Sequence, residues 1–247
     1  MKASWLVPAL FAALFLSVWE GAVKFFAVPE YLLPAPTVIL ATVDRDLFIQ
    51  LAVTFSEALM GFAIASALAF VAALVFVRFK TVEQGFFPIA IAIKTTPLVA
   101  MAPLLVLWQG TGWWSKITAA SLICFFPVLV NSVKGLKAAD AEYFELFKSM
   151  GAHRSQEFGK LRVPYCLPYL FSALKISSSL AVVGAIVGEF VGATKGLGYL
   201  IMLSSAHLET PTLFSAILAS AAAGIVLFYM ISAVERAVVF WQTPGVE

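Results

Sequence analysis

Charge is scarce in this chain. Asp, Glu, Lys and Arg supply 12% of its 247 residues, while 62% are hydrophobic. A soluble domain carries about 25% charge to cover its surface, so a freely soluble fold is excluded. Strand-like alternation is also missing. The apolar runs are continuous, which argues against a membrane β-barrel. Cysteine and histidine are nearly absent. Cys124, Cys166, His153 and His207 each stand without companion ligands, so neither a disulfide framework nor a metal site is legible. No Gly-x-x-x-x-Gly-Lys-Ser/Thr loop occurs; the Gly192–Gly196 segment has glycines and a lysine without that spacing. The chain is therefore not built to hydrolyse a nucleotide. No Ser/His/Asp or Cys/His arrangement appears, which leaves an intramembrane enzyme with no residues to name. The net charge of +2 points to no nucleic-acid partner.

What is present is a series of apolar runs, each long enough to cross a bilayer. Spans are expected at about 5–27, 52–77, 86–108, 116–134, 166–191 and 212–240. The fold class is thus an all-α membrane protein, one domain over 1–247. Pro29, Pro34 and Pro36 break the chain after the first span. Gly110-Thr-Gly112 marks a tight turn, and Gly192 to Gly198 ends the fifth span. The first run continues to Phe26 with no small-residue cleavage site, so it is expected to be an uncleaved span rather than a signal peptide.

Positive charge sets the orientation. Odd-numbered loops carry Lys24, Arg45, Lys116 and Lys195. Even-numbered loops and the termini carry Lys2, Arg78, Lys80, Lys134, Lys137, Lys148, Arg154, Lys160, Arg162 and Arg236. Both termini are therefore expected in the cytoplasm, with the polar loop 138–163. Trp5, Trp19, Trp108, Trp113, Trp114 and Trp241 sit mostly near span ends, as interfacial aromatics or as ordinary packing residues.

The 138–163 loop is a polar, basic island in an oily chain. Asp140 can cap a short helix running to Met150, with Glu142 in its first turn. Tyr143, Leu146, Phe147 and Met150 fall at i, i+3, i+4 and i+7, forming one apolar stripe. Gly151 suits a left-handed C-terminal cap. A second helical stretch over about 153–162 leads to Pro164. Two readings fit these residues: a helix resting on lipid headgroups, or a helix inserted into a partner's groove.

The spacing of this loop resembles the signature of binding-protein-dependent ABC importer permeases: Glu-Ala-Ala, three residues, Gly, nine residues, Ile-x-Leu-Pro. Glu145, Gly151 and Pro164 match, Leu161 and Val163 are conservative replacements, and Leu146 and Phe147 stand where the family has alanines. Residues 97–117, Pro164 to Ile176 and Gly188 to Ile201 are similar to the nitrate/sulfonate/taurine branch. The resemblance implies a type I importer permease with about six spans. It implies that Asp140, Tyr143, Glu145, Leu146, Phe147, Gly151, Ala152, Leu161 and Pro164 couple it to a cytoplasmic ABC ATPase dimer. ATP and magnesium would reside on that partner, with no cofactor on this chain. A second permease copy, making a homodimer, and a periplasmic or lipid-anchored solute-binding protein complete the implied assembly, in a prokaryotic inner membrane. The solute would be small and polar: nitrate, a sulfonate, taurine, bicarbonate or a vitamin precursor.

Ionisable residues inside the spans are costly and usually face protein or water. Lys94 and Lys175 lie in cytoplasm-proximal halves, where either can snorkel, and Glu235 at similar depth can pair with one of them. Glu57 and Glu189 lie toward the outer ends, where hydration is the simple expectation. The functional alternative sets Lys94, Thr95, Thr96, Lys175, Ser177, Ser178, Ser179 and Glu189 on a translocation pathway; against it, hydroxyls in spans often bond the backbone. The competing function is an autonomous ion-coupled secondary transporter, which would favour an inverted repeat; none is evident.

Overall fold

The computed structural model describes residues 6–241. Lys2 and Trp5, which bear on the expected orientation and interface, lie outside that range. Every regular element among the described residues is helical. In chain order the elements begin with α1 (Leu6–Phe25), α2 (Pro36–Ala41), α3 (Arg45–Arg78), α4 (Lys80–Thr95) and α5 (Leu98–Gln109). There follow α6 (Trp113–Leu136), α7 (Ala141–Ser149) and α8 (Arg154–Glu157), then a π-helical turn over Phe158–Arg162 that runs directly into α9 (Val163–Glu189). The chain closes with α10 (Leu197–Ala206) and α11 (Thr210–Val238).

Five helices are long and apolar enough to span a membrane: α1, α3, α6, the continuous Arg154–Glu189 helix and α11. A sixth exists if α4 and α5 count as one broken span. This is the expected architecture with one correction. The apolar run 86–108 is not a straight span, because α4 and α5 meet at 100°. Pro97 lacks an N–H and its ring pushes the preceding residue out of the helical region. Thr96 accordingly sits at φ −70°, ψ 125°. Helix α3 begins earlier than the expected span because Asp44 caps it, its Oδ1 accepting the Leu47 N–H at 2.9 Å. Its 34 residues rise about 51 Å at 1.5 Å each, well beyond the roughly 30 Å of hydrocarbon they must cross.

Helix α6 lies between α3 and α9 and packs along both. Lipid gives no hydrophobic drive for helices to associate, so close backbone approach through small residues takes its place. The sequence supplies these at helical spacing: Ala58, Gly61, Ala65, Ala69 and Ala73 on α3, and Ala181, Gly184, Ala185 and Gly188 on α9. Both rows meet α6 at Ala120. A Cβ added at Gly61 would lie 2.6 Å from the Ala120 Cβ, and one at Gly184 would lie 2.7 Å from the Ala120 Cα. Farther along, a Cβ at Gly135 would meet the Tyr169 Cβ at 2.8 Å and the Cys166 Cα at 3.0 Å. The two cysteines pack at these seams as small apolar residues. Their thiols donate across them, Cys124 to the Ser177 carbonyl at 3.2 Å and Cys166 to the Ser132 carbonyl at 3.4 Å.

Helix α1 stands at the periphery, with Val23 its one buried residue. Glu20 ties it to α2, accepting the Thr37 hydroxyl at 2.8 Å and the Thr37 N–H at 3.1 Å. Trp19 adds a ring contact to Phe214 of α11 at 5.9 Å.

Gly184→Leu should force α6 and α9 apart and lower stability by about 1–3 kcal/mol, as overpacking does. Thermal unfolding in detergent measures this. Gly21→Leu, where an added Cβ meets nothing within 4 Å, is expected to leave the transition in place.

Candidate functional site

One end of the bundle carries α7, the expected loop helix. None of its residues is buried. Phe144 and Phe147 turn toward the rest of the chain and are half-buried, while Tyr143, Leu146 and Met150 are exposed. The apolar stripe is therefore split between an inner face and an outer one. Asp140 occupies the N-cap position with extended backbone, but its carboxylate accepts no N–H from the first turn, which corrects the expected cap. Glu145 is exposed and forms no salt bridge among the described residues.

The C-terminal end of α7 shows why glycine stands at 151. The Ala152 N–H donates to the Phe147 carbonyl at 3.0 Å and the Gly151 N–H donates to the Lys148 carbonyl at 3.0 Å. This pair of bonds is the Schellman closure, and it requires a left-handed residue at the position after the cap. Gly151 supplies it with φ +68°.

Arg162 anchors α7 to the bundle. Its guanidinium sits 4.5 Å from the Phe144 ring centroid. It also donates to the Leu136 carbonyl at the end of α6 at 3.2 Å and pairs with Glu157 at 3.0 Å. Tyr143 meets Tyr165 of α9 with ring centroids 5.7 Å apart. Leu161 is buried beside this hub. Pro164 enters the helix with no break. The π turn before it widens the backbone, with the Val163 N–H reaching back five residues to Phe158. This relieves the clash a proline ring makes with the carbonyl four residues earlier. By sequence Arg162 is one of several loop charges. Its pairing with Glu157 spans five residues, a spacing that becomes a helix face only in a π turn.

The opposite end holds a buried polar network that the sequence hinted at only in part. Glu57 and Glu189, expected to be hydrated, are 3% and 1% exposed, and Lys116, expected in a solvated loop, is 2% exposed. Glu189 is enclosed by α10, an apolar half-helix whose free N-terminal N–H groups have no water to meet. Side chains from α3 and α9 satisfy them. Gln50 accepts the Gly196 N–H at 2.7 Å, the Thr54 hydroxyl oxygen accepts the Leu197 N–H at 2.7 Å, and the Glu189 carboxylate accepts the Gly198 N–H. Thr54 in turn donates to Glu189 at 2.7 Å. A carboxylate also suits the positive end of a helix. Lys116 donates to the Thr111 and Gly112 carbonyls and so fixes the turn before α6.

The remaining candidates fall into two groups. Lys175 pairs with Glu235 at 2.8 Å. Ser177 and Ser178 are buried, their hydroxyls donating to the Cys124 carbonyl at 3.4 Å and the Lys175 carbonyl at 2.7 Å. Lys94, Thr95 and Thr96 are exposed at the α4–α5 break. The Lys94 ammonium lies 4.8 Å from the Phe126 ring centroid, and both threonine hydroxyls donate to the Ala92 carbonyl. The structure does not bring these three together with Glu189, which is enclosed at the network beside α10.

Glu189→Ala should leave the Gly198 N–H without an acceptor and the Thr54 hydroxyl with only the Gln50 carbonyl at 3.3 Å, at about 1–3 kcal/mol for the buried group stranded. Hydrogen exchange at the 196–198 amides should accelerate while the α6–α9 seam stays protected. For Lys175 and Glu235, combining K175E with E235K should restore about half or more of the stability that either change alone removes, read by thermal unfolding.

Comparisons with known proteins agree with this geometry. The family described as binding-protein-dependent transport system inner membrane component matches residues 61–240. The chain is 36% identical to the formylaminopyrimidine transport permease protein ThiX of Halalkalibacterium halodurans, over 98% of this chain and 99% of that protein. It is 33% identical to the riboflavin transport system permease protein RibX of Chloroflexus aurantiacus, over 93% of this chain and 87% of that one. A solved structure of the MetNI methionine ABC transporter, in an inward-facing conformation, has a chain that superposes with a TM-score of 0.61 at 19% identity, over 78% of this chain and 94% of that chain. With its helical bundle, exposed loop helix and broken span, the chain belongs to the family of binding-protein-dependent transport system inner membrane components, the membrane permeases of ABC importers.

Proposed function

We propose that this permease works as a dimer of two identical chains driven by a cytoplasmic ABC ATPase dimer that docks on α7, with ATP and magnesium held by the ATPase. In this reading both termini and the 138–163 loop face the cytoplasm of a prokaryotic cell, and an external solute-binding protein delivers the solute at the α10 end. The observation that carries it is the form of α7. Its outer face presents Leu146, Met150 and part of Tyr143 to solvent, while its inner side is held to α6 and α9 through Arg162 and the Tyr143–Tyr165 contact. A short helix with an aromatic and aliphatic stripe is the shape that fills a groove on a partner.

ATP-driven closure of the ATPase dimer would move α7, and Arg162 and Tyr165 would pass that motion to α6 and α9. The solute class is small and polar, of the sulfonate, taurine, nitrate or vitamin-precursor kind. The relatives support it: a formylaminopyrimidine permease and a riboflavin permease, an aliphatic sulfonates permease of Bacillus subtilis at 27% identity, and a taurine permease of Escherichia coli at 24%. The pathway residues we favour are Lys94, Thr95 and Thr96. They lie exposed where the broken span turns, so the second chain or the conduit can reach them. Lys175, Ser177, Ser178 and Glu189 already bond within their own chain, which supports structural duties for them first.

The paired change Leu146→Asp and Met150→Asp tests the docking face without touching a buried residue. ATPase co-purification should fall about tenfold or more, as at an interface hot spot, with the permease's own thermal unfolding unchanged. Gly151→Val should act through strain instead, costing about 1–2 kcal/mol in the left-handed region, with loss of the ATPase and normal membrane insertion. Full ATPase retention in both variants would sink the docking assignment. Lys94→Met should reduce uptake with assembly intact; unchanged uptake removes Lys94 from the pathway.

A further inference from the structure

A groove of about 580 Å³ opens between the end of α3 and the α8–π turn segment. Leu74, Val75, Phe79 and Phe158 supply its apolar lining, and Arg78 and Arg154 line it where it meets a second hollow. That hollow, of about 220 Å³, continues it past Arg78 and Arg154 toward Glu157 and Arg162. Glu157 is already neutralised by Arg162. Among the described residues, neither Arg78 nor Arg154 meets a carboxylate in a salt bridge. The groove is therefore oily along the helices and doubly cationic where the two hollows meet. Its depth also has a cause. Gly159 of the π turn lines it without a side chain, and a Cβ there would meet nothing within 4 Å.

We propose that this groove binds an anionic phospholipid, with its phosphate between Arg78 and Arg154 and the start of an acyl chain along Leu74, Val75, Phe79 and Phe158. Leu74 and Val75 belong to the spanning helix α3, and Arg78 is its last residue, so an acyl chain can lie along the apolar helix face while its headgroup meets Arg78. Guanidinium groups bind phosphate oxygens in a bidentate fork, and basic clefts between spanning helices on the cytoplasmic side suit acidic lipid headgroups. Charge at one end and grease at the other match an amphiphile and not a free anion. The inference uses the membrane-permease reading but not the docking of any partner at α7.

The test uses the full chain purified in detergent and supplied with phosphatidylglycerol or phosphatidylcholine, with retained lipid counted by native mass spectrometry. The wild type should retain phosphatidylglycerol in preference. R78Q with R154Q should lower that preference about thirtyfold, two arginines' share of the attraction, whereas R78K with R154K should keep part of it. Gly159→Phe should block the groove and expel the lipid with both arginines intact. Thermal unfolding of each variant shows whether it is folded. Equal retention of the two lipids by the wild type, or an unchanged preference in both R78Q/R154Q and Gly159→Phe, overturns the proposal. Displacement of the lipid by equimolar inorganic phosphate would make this a plain anion site and overturn it as well. So would an unchanged lipid preference combined with loss of a co-purifying ATPase, which would assign the face to a protein.

Discussion

The contact of three helices at Ala120 is the constraint on which the other features depend. In lipid, apolar side chains gain nothing by leaving an apolar solvent, so a bundle coheres through packing and polar satisfaction. Here α3 and α9 approach α6 until Gly61 and Gly184 have no room for a methyl group against Ala120. That approach sets the register at both ends. At one end it brings the last carbonyls of α6 within reach of Arg162. At the other it sets Thr54 of α3 opposite Glu189 of α9.

The two ends solve the same problem with different means. Backbone donors and acceptors that lack a helical partner must find one, since the bilayer core offers no water. The α10 end meets this with side chains, so that Gln50, Thr54 and Glu189 close a helix N-terminus that would otherwise be bare. Gly196 and Gly198 belong to the same solution, because a Cβ at either would collide with the Glu189 side chain. The α7 end faces no such demand. Its helix is closed by its own backbone at Gly151 and keeps its outer apolar residues uncovered. One end is therefore built to be rigid, and the other to present a surface.

Much of this was legible from residue spacing. Continuous apolar runs located the spans, and the Glu145, Gly151 and Pro164 spacing located α7 and its glycine closure. Four features were hidden, each for a physical reason. The bend at Thr96-Pro97 lies within an unbroken apolar run, so hydropathy passes over it. The burial of Lys116 and Glu57 cannot be read from one dimension, because their surroundings come from α9 and from the turn between α5 and α6. Arg162 escaped because a π turn shifts the helical register, and spacings of three and four residues no longer name the face. The α10 half-helix lies outside the expected spans because glycines crowd its start and its 10 residues are too few to cross a bilayer.

Mechanical continuity ties these ends together. On the proposed coupling role, a push on α7 cannot spread through its own core, since it has none. It must travel through the Phe144–Arg162 and Tyr143–Tyr165 contacts into the helix that runs unbroken from Arg154 to Glu189. Those 36 residues span about 54 Å at 1.5 Å per residue, so a small rotation at the Arg162 end becomes a displacement at Glu189. Glu189 holds the N-terminus of α10 and Thr54 of α3 together. A lever hinged on the crowded Ala120 contact would therefore deliver its motion to the half-helix at the far end. Filling Gly61 or Gly184 with a methyl group would move the fulcrum and not the load.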